Sequence, residues 1–314
     1  MPLTTVFKEI SRSIFATRRC ASGERRRTQS RVAGCCIAIA AASACADASL
    51  DIGHFDAGSD NRAGLVFSPD GQTAYWTEWD GAWGASDASA RTIFWSSYRD
   101  GGWSTPQAVA FTDGHSDDDP FVTPDGQWLY FVSDRPESSD DHDRDTNVWR
   151  YRLAEPHTLE LLPWNSAGDE YSPVVVASGS VYFAADTDRS GDGDVYVVAD
   201  AQGAKRLGPS VNSAHGEWNL WVAPDETEMV FEASGRATNL SVPGDLYYSR
   251  WSDAGWTEAV PIGALNSKGS DLLPRLHPQN GTLIYTTAAI GGHAELRVVA
   301  WSPLRDRLRD PKPR

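Results

Sequence analysis

The stretch FVTPDGQWLYFVSD, Phe121 to Asp134, decides how this chain is read. Pro-Asp-Gly stands between two apolar runs. Proline presets the backbone for a tight turn, and Asp-Gly supplies the side-chain acceptor and the positive φ that close it. The run after the turn alternates aromatic and β-branched residues, as a half-buried strand does. The stretch therefore reads as one β-hairpin.

The hairpin recurs. FSPDGQTAYWTEW begins at Phe67, VVVASGSVYFAAD at Val174, WVAPDETEMVFEAS at Trp221 and RLHPQNGTLIYTTA at Arg275. Anchored on the first turn position (Pro69, Pro124, Ala177, Pro224, Pro278), the repeats are spaced by 55, 53, 47 and 54 residues. A period of that size built from short strands means a propeller or an array. A third strand follows in each unit: TIFWSSY (92–98), NVWRYRL (147–153), DVYVVAD (194–200), DLYYSRW (245–251) and ELRVVAW (295–301). GGWSTPQAV (101–109) and AGWTEAVPIG (254–263) seed a fourth. The fold class is thus all-β, a single β-propeller of four-stranded blades over 47–303. Five blades fit the spacing best, with six as the second choice. The last unit lacks a fourth strand, because the chain after Trp301 (SPLRDRLRDPKPR, 302–314) is basic and Pro-containing, and 304–314 reads as a tail. Residues near 48–53 have the spacing of a fourth strand without a unit of its own. They are expected to pair into the last blade and close the ring, removing open sheet edges.

Residues 1–46 differ from the rest. They hold eight Lys/Arg and two Asp/Glu, followed by the apolar run VAGCCIAIAAASA from Val32 to Ala44. That run is shorter than the ~20 residues a membrane-spanning helix needs. Basic segment, short apolar segment and Ala44-Cys45-Ala46 read as a removed export signal, with Asp47 as first mature residue. Ala42-Ser43-Ala44-Cys45 also fits a lipobox, which places a lipid anchor on Cys45. The alternatives are cleavage without lipid and retention in the cytosol. The expected location is periplasmic or extracellular, as a soluble or lipid-anchored protein without a transmembrane span in the mature form. All four cysteines lie in the first 45 residues, so the propeller has neither a disulfide framework nor a cysteine metal site. From residue 47 onward 20 Lys/Arg face 41 Asp/Glu, a net charge of −21. Such a surface repels phosphate backbones, which excludes nucleic acid as a natural partner. An envelope protein or a glycan fits better.

At this point the units resemble the TolB-type, WD-repeat-like propeller repeats of bacterial envelope proteins. The resemblance rests on the SPDG-type turn, Ser133-Asp134-Arg135 after the second strand, and the third-strand openings Asp194-Val195-Tyr196 and Asp245-Leu246-Tyr247. The connector pairs Asn212-Ser213 and Asn266-Ser267 match as well. It covers nearly all of 50–301. It implies a propeller; family members serve as interaction platforms, sugar binders and occasionally enzymes.

Propeller topology puts the second-to-third-strand loops on one face, together with the connectors that enter each first strand. Those loops are long and variable (80–90, 135–144, 187–193, 235–244), which is where binding sits on a regular scaffold. Seven residues before each anchor stand Arg62, Asp117, Glu170, Glu217 and Asp271; two residues earlier, two units carry His115 and His215. One reading makes these a charged ring at the channel mouth, holding a cation, a basic side chain or a sugar. The other makes each acid a backbone brace between blades. Trp79, Trp83 and Trp218 stand near this face and could stack on sugar rings. Asp186, Asp188, Asp192 and Asp194 resemble the start of a calcium loop, with Val197 where its closing Glu belongs. Apart from Ca2+ at that loop, no cofactor is implied.

Three functions follow: a non-catalytic binding or scaffold module engaging a protein partner or glycan through its acidic loop face; a carbohydrate-active hydrolase or lyase using Glu170 and Glu217 as acid and base; and a calcium-stabilised scaffold.

Overall fold

The computed structural model describes residues 52–55, 61–85, 89–138, 144–199, 203–241, 243–289 and 291–310. Five antiparallel sheets follow one another along the chain. The first holds β1 (Asn61–Phe67), β2 (Thr73–Trp79), β3 (Thr92–Arg99) and two short outer pieces, β4 (Gly102–Trp103) and β5 (Gln107–Ala108). The second is β6 (Asp117–Val122), β7 (Trp128–Ser133), β8 (Asn147–Arg152) and β9 (Leu159–Leu161). The third is β10 (Asp169–Val175), β11 (Val181–Asp186), β12 (Asp194–Val198) and β13 (Lys205–Arg206). The fourth is β14 (Glu217–Val222), β15 (Glu228–Ala233), β16 (Asp245–Ser252), β17 (Gly255–Trp256) and β18 (Val260–Pro261). The fifth is β19 (Ser270–Leu276), β20 (Thr282–Ala288) and β21 (Ala294–Ala300). The first strands β1, β6, β10, β14 and β19 pack side by side in a closed ring. The molecule is a five-bladed propeller, as the repeat spacing predicts.

Each blade is held to the next by apolar side chains from facing sheets. Leu129, Phe131 and Trp149 of the second blade meet Val66, Tyr75 and Ile93 of the first. Val174, Tyr182 and Val195 of the third meet Leu220, Phe231 and Tyr247 of the fourth. Burying a large apolar side chain contributes roughly 1.5–3 kcal/mol, so these inter-blade layers supply the cohesion that disulfides would otherwise give. The hairpin turns form as their residues dictate. Ser68 Oγ donates to Asp70 Oδ1 at 2.6 Å, Gln72 N–H donates to the same oxygen at 3.0 Å, and Gly71 takes φ +69°.

The seam between first and fifth blades departs from expectation. Residues 48–51 of the expected closing strand lie outside the described residues. Ile52–His54 form a single 3-10 turn rather than a strand. Phe55 behind it is fully buried among Phe67, Trp76, Ile284 and Leu296, side chains of both blades. Three strands are described in the fifth sheet. Backbone bonds Trp83 N–H to Gly292 O (2.8 Å) and Gly291 N–H to Trp83 O (3.1 Å) lock the seam, and Asn61 Oδ1 accepts from Ala294 N–H at 2.8 Å.

Within and just before the expected basic tail the chain forms a helix, α1 (Trp301–Arg309); residues 311–314 of the tail lie outside the described residues. Trp301, Leu304 and Leu308 recur at helical spacing and pack on Trp221, Tyr248 and Leu283. Pro303 is tolerated in the first turn, and the helix ends before Pro311. Nine residues are too few for the periodicity to stand out. Among the described residues no helix is long and apolar enough to cross a membrane.

Candidate binding face and central channel

The four acids that stand seven residues before a turn anchor lie at the start of the inner strands β6, β10, β14 and β19, and all are buried. Their partners come mostly from their own connectors. Glu170 accepts from Ser166 N–H (2.9 Å) and Ser166 Oγ (2.6 Å). Glu217 accepts from Ser213 N–H (2.8 Å) and Ser213 Oγ (2.7 Å), and Asp271 from Ser267 N–H (2.6 Å). In each case the serine follows an asparagine that grips the preceding blade. Asn212 Oδ1 accepts from Val195 N–H at 2.8 Å while its amide donates to Val195 O and Leu207 O. Asn165 does the same to Val148, and Asn266 to Leu246. The Asn-Ser pair is thus a stitch: asparagine ties the connector to the third strand of one blade, serine to the inner acid of the next.

Three units add an ion pair behind the inner strand. Arg135 donates to Asp117 at 2.7 Å, and its guanidinium lies 5.4 Å from the Phe131 ring. Arg236 donates to Glu217 Oε1 at 2.7 and 3.0 Å, and lies 5.4 Å from the Phe231 ring. In the first blade Arg62 replaces the acid and pairs with Glu78 at 2.6 Å. Burial pushes the Asp117 carboxyl up to about 6 against the pull of Arg135, and Glu170 up to about 8 against the Ser166 bonds. Burial raises Glu217 and Asp271 too.

A second ring lies two residues further along the inner strands. Gly64, Asp119, Ser172, Asn219 and Leu273 all have positive φ, between +32° and +65°, and all sit at the register slip between first and second strands. This is a bulge repeated in every blade. Polar groups of neighbouring blades meet beside it. Asp119 accepts from Ser172 N–H at 2.8 Å. Arg275 reaches across from the fifth blade, donating to Leu220 O (2.8 Å) in the fourth and Ser172 Oγ (3.0 Å) in the third. Asn219 donates to Glu232 at 2.5 Å. Arg91 pairs with Asp118 and stacks 4.2 Å above Trp79. Burial raises the Asp119 carboxyl, with Asp118 adding to the effect and Arg275 opposing it. Burial lifts Glu232 to about 8 and lowers Arg275 to about 10. At this level the charged side chains of Asp119, Glu232 and Arg275 are all buried within the protein. The sequence does carry a signal for the ring: Gly, Asp and Asn favour positive φ, and Pro120, Pro173 and Pro274 follow the bulge residue in three blades, where mid-strand proline belongs.

The other expected site residues fall as follows. His215 is exposed and His115 partly so, the latter 3.5 Å from Asp134. Trp79, Trp83 and Trp218 are buried and present no open platform for a sugar. Trp218 is wedged where Cβ atoms on Gly193 and Gly216 would lie 2.5 and 2.4 Å from its ring. Asp186 accepts from Ser190 N–H and Gly191 N–H, both at 2.8 Å, which closes its turn. Asp194 faces away on β12, in a two-point pair with Arg206 at 2.5 and 2.6 Å, while Asp188 and Asp192 are exposed. Among the described residues no group of three His, Cys, Asp or Glu is arranged to hold a metal ion. Cys45 lies outside the described residues.

No protein-family model and no curated protein matches the chain. Solved structures do. A TolB-like protein from Agrobacterium tumefaciens superposes with a TM-score of 0.51 at 14% identity, over 77% of this chain and 83% of that one. A thermostable family-43 glycoside hydrolase matches with a TM-score of 0.49 at 12% identity, over 77% and 90% of the two chains. XC5397 from Xanthomonas campestris, a gluconolactonase, gives 0.45 at 14% identity, over 77% of each. At these identities the likeness is one of fold alone: a β-propeller.

Proposed function

We propose that this chain is an exported bacterial propeller acting as a non-catalytic binding module, which engages an envelope protein through its long-loop face. The observation that carries this reading is the fate of its inner acids. Glu170 and Glu217, the pair a glycan-cleaving alternative needs, have no solvent exposure and are held by Ser166 and Ser213. Their recurrence in successive blades follows from bracing, which every blade needs. Chemistry on a substrate would single out one blade.

The exposed surface of the same face suits a partner better than a sugar. Leu240, 62% exposed at the tip of the fourth blade's loop, offers an apolar anchor, with His215, Glu137, Asp188 and Asp192 exposed around the ring. Acidic rim charges steer a basic partner surface. A glycan remains the second ligand class of this proposal. Export belongs to it too, either with removal of 1–46 or with cleavage before a lipidated Cys45, and intact-mass measurement of the protein from its own envelope tells the two apart. Crosslinked pull-down with residues 47–314 tests the function. A specific envelope protein recovered by the native chain and lost with folded Leu240→Asp supports the proposal; hydrolysis of a glycan abolished by Glu170→Gln would overturn it.

A further inference from the structure

Each blade with an inner acid places an aromatic ring on its second strand, two residues before the partner of that acid: Phe131, Phe183, Phe231 and Tyr285. In three of them the ring is covered. Arg135, two residues past Ser133, lies 5.4 Å from the Phe131 ring while donating to Asp117. Arg236, three residues past Ala233, lies 5.4 Å from the Phe231 ring while donating to Glu217 and to Val211 O. The Trp164 ring lies 4.5 Å from Phe183. The fifth blade lacks both kinds of cover. The residues after β20 are Ala289-Ile290-Gly291-Gly292-His293, without an arginine, and Leu265 takes the connector position of Trp164 and Val211, one residue before the asparagine.

A cavity of about 450 Å³ opens at this point, lined by Leu265, Asp271, Tyr285 and Ala289 among others. His293, Glu295 and Arg297 form its exposed edge, and the last two pair with each other at 2.5 Å. Lys268 of the connector is exposed and does not line it. Tyr285 and Thr287 are half-buried, and Asp271 is 1% exposed. Asp271 Oδ2 accepts from Ser267 N–H at 2.6 Å, whereas Oδ1 is buried without a hydrogen bond among the described residues. Asp117 and Glu170 also keep one such oxygen, in blades where the ring is covered. Burial raises the Asp271 carboxyl; Ser267 and Thr287 oppose the shift and the charge of Asp245 adds to it. With Glu295 matched by Arg297, Asp271 is the unmatched charge of the cavity.

From these observations we infer that the cavity is a socket for an arginine side chain of the partner held at the long-loop face. That arginine supplies in trans the guanidinium that Arg135 and Arg236 supply within their own blades. A guanidinium can meet a carboxylate through its N–H fork while lying on an aromatic face, which an ammonium does less well. The connector from Ala289 to His293 belongs to the long-loop face, so the socket opens where a partner would sit. The inference rests on the binding-module reading and names what the fifth blade takes from the partner.

The test is ligand-observed NMR on the full chain with the doubly capped peptide Gly-Arg-Gly and its citrulline and lysine counterparts. The arginine peptide is expected to bind at least about tenfold more tightly than the citrulline peptide, and more tightly than the lysine peptide. Asp271→Asn should remove the preference over citrulline. Ala289→Arg places an arginine two residues past Thr287, at the position of Arg135. It should fill the socket from within, abolish peptide binding and raise the melting temperature by about 2–4 °C. Ala289 is exposed, so this variant carries the test even where Asp271→Asn fails to fold. Equal affinity for arginine and citrulline, undiminished binding by folded Ala289→Arg, or no binding at millimolar peptide would overturn the inference. The peptide needs no partner, so it reads the socket whichever way the pull-down falls. A partner recovered equally by the native chain and Ala289→Arg would overturn the socket and leave the binding module standing.

Discussion

Arg62 and Glu78 make at 2.6 Å the ion pair that Glu217 and Arg236 make at 2.7 Å, with the charges exchanged between inner strand and second-strand side. The first blade therefore keeps the brace of the others while inverting its polarity. Breaking a buried pair by removing one partner costs about 3–5 kcal/mol, because the other charge is left uncompensated. Glu217→Ala should lower stability by about that amount, read by urea unfolding. Arg62→Glu, which sets two carboxylates face to face, should destabilise clearly. The double exchange Arg62→Glu with Glu78→Arg should recover most of the loss in a double-mutant cycle. No recovery would mean that Arg62 serves something other than this pair.

Stability should fall as pH rises from about 5 to 8. Glu170 and Glu232 lie near 8 in the folded protein and Asp117 near 6, each raised by burial above the ordinary carboxylate value. Between the unfolded and folded values the native state binds the extra protons, so raising the pH favours unfolding. The loss runs through that window and is absent below the unfolded values, near 4. Glu170→Gln should flatten the slope by on the order of 1–3 kcal/mol. Melting temperature across this range checks it, and a profile that rises toward pH 8 would contradict it.

The Asn-Ser stitch should be asymmetric. Asn212 is buried and satisfies three backbone groups, whereas Ser213 supports one carboxylate. Asn212→Ala strands the Val195 N–H and should cost about 2–3 kcal/mol; Ser213→Ala should cost about 1 kcal/mol. Amide hydrogen exchange at Val195 should speed up in the first variant only.

Two glycines should behave oppositely. A Cβ on Gly216 would lie 2.4 Å from the Trp218 indole nitrogen, so Gly216→Ala should cost about 1–3 kcal/mol by overpacking. Gly64 occupies the bulge position that Asp119 and Asn219 occupy elsewhere, and its Cβ would find ordinary contacts at 3.6 and 3.9 Å. Gly64→Asn should cost less than about 1 kcal/mol despite the positive φ. Thermal unfolding of the two variants separates them.

α1 should be a structural element. Trp301 is 1% exposed beneath the fourth and fifth blades, and Trp301→Ala should destabilise by about 3–5 kcal/mol. An unchanged melting temperature would show that the helix does not hold the ring.

Strand order, blade number and turn chemistry were legible in the chain alone, because each depends on residues within one repeat. PDG closes a turn wherever it stands, and a two-residue alternation marks a strand without its partner. The inner acids were legible as a column, but whether they face solvent or a serine depends on the connector's path. Asp119, Ser172 and Arg275 were not legible as a cluster, since Arg275 meets Ser172 from 103 residues away, across an axis that exists only once five sheets close. The helix at Trp301–Arg309 was decided in the same way. A nine-residue segment carries too little periodicity to declare itself, and its stability comes from the apolar surface of two blades that the chain assembles elsewhere.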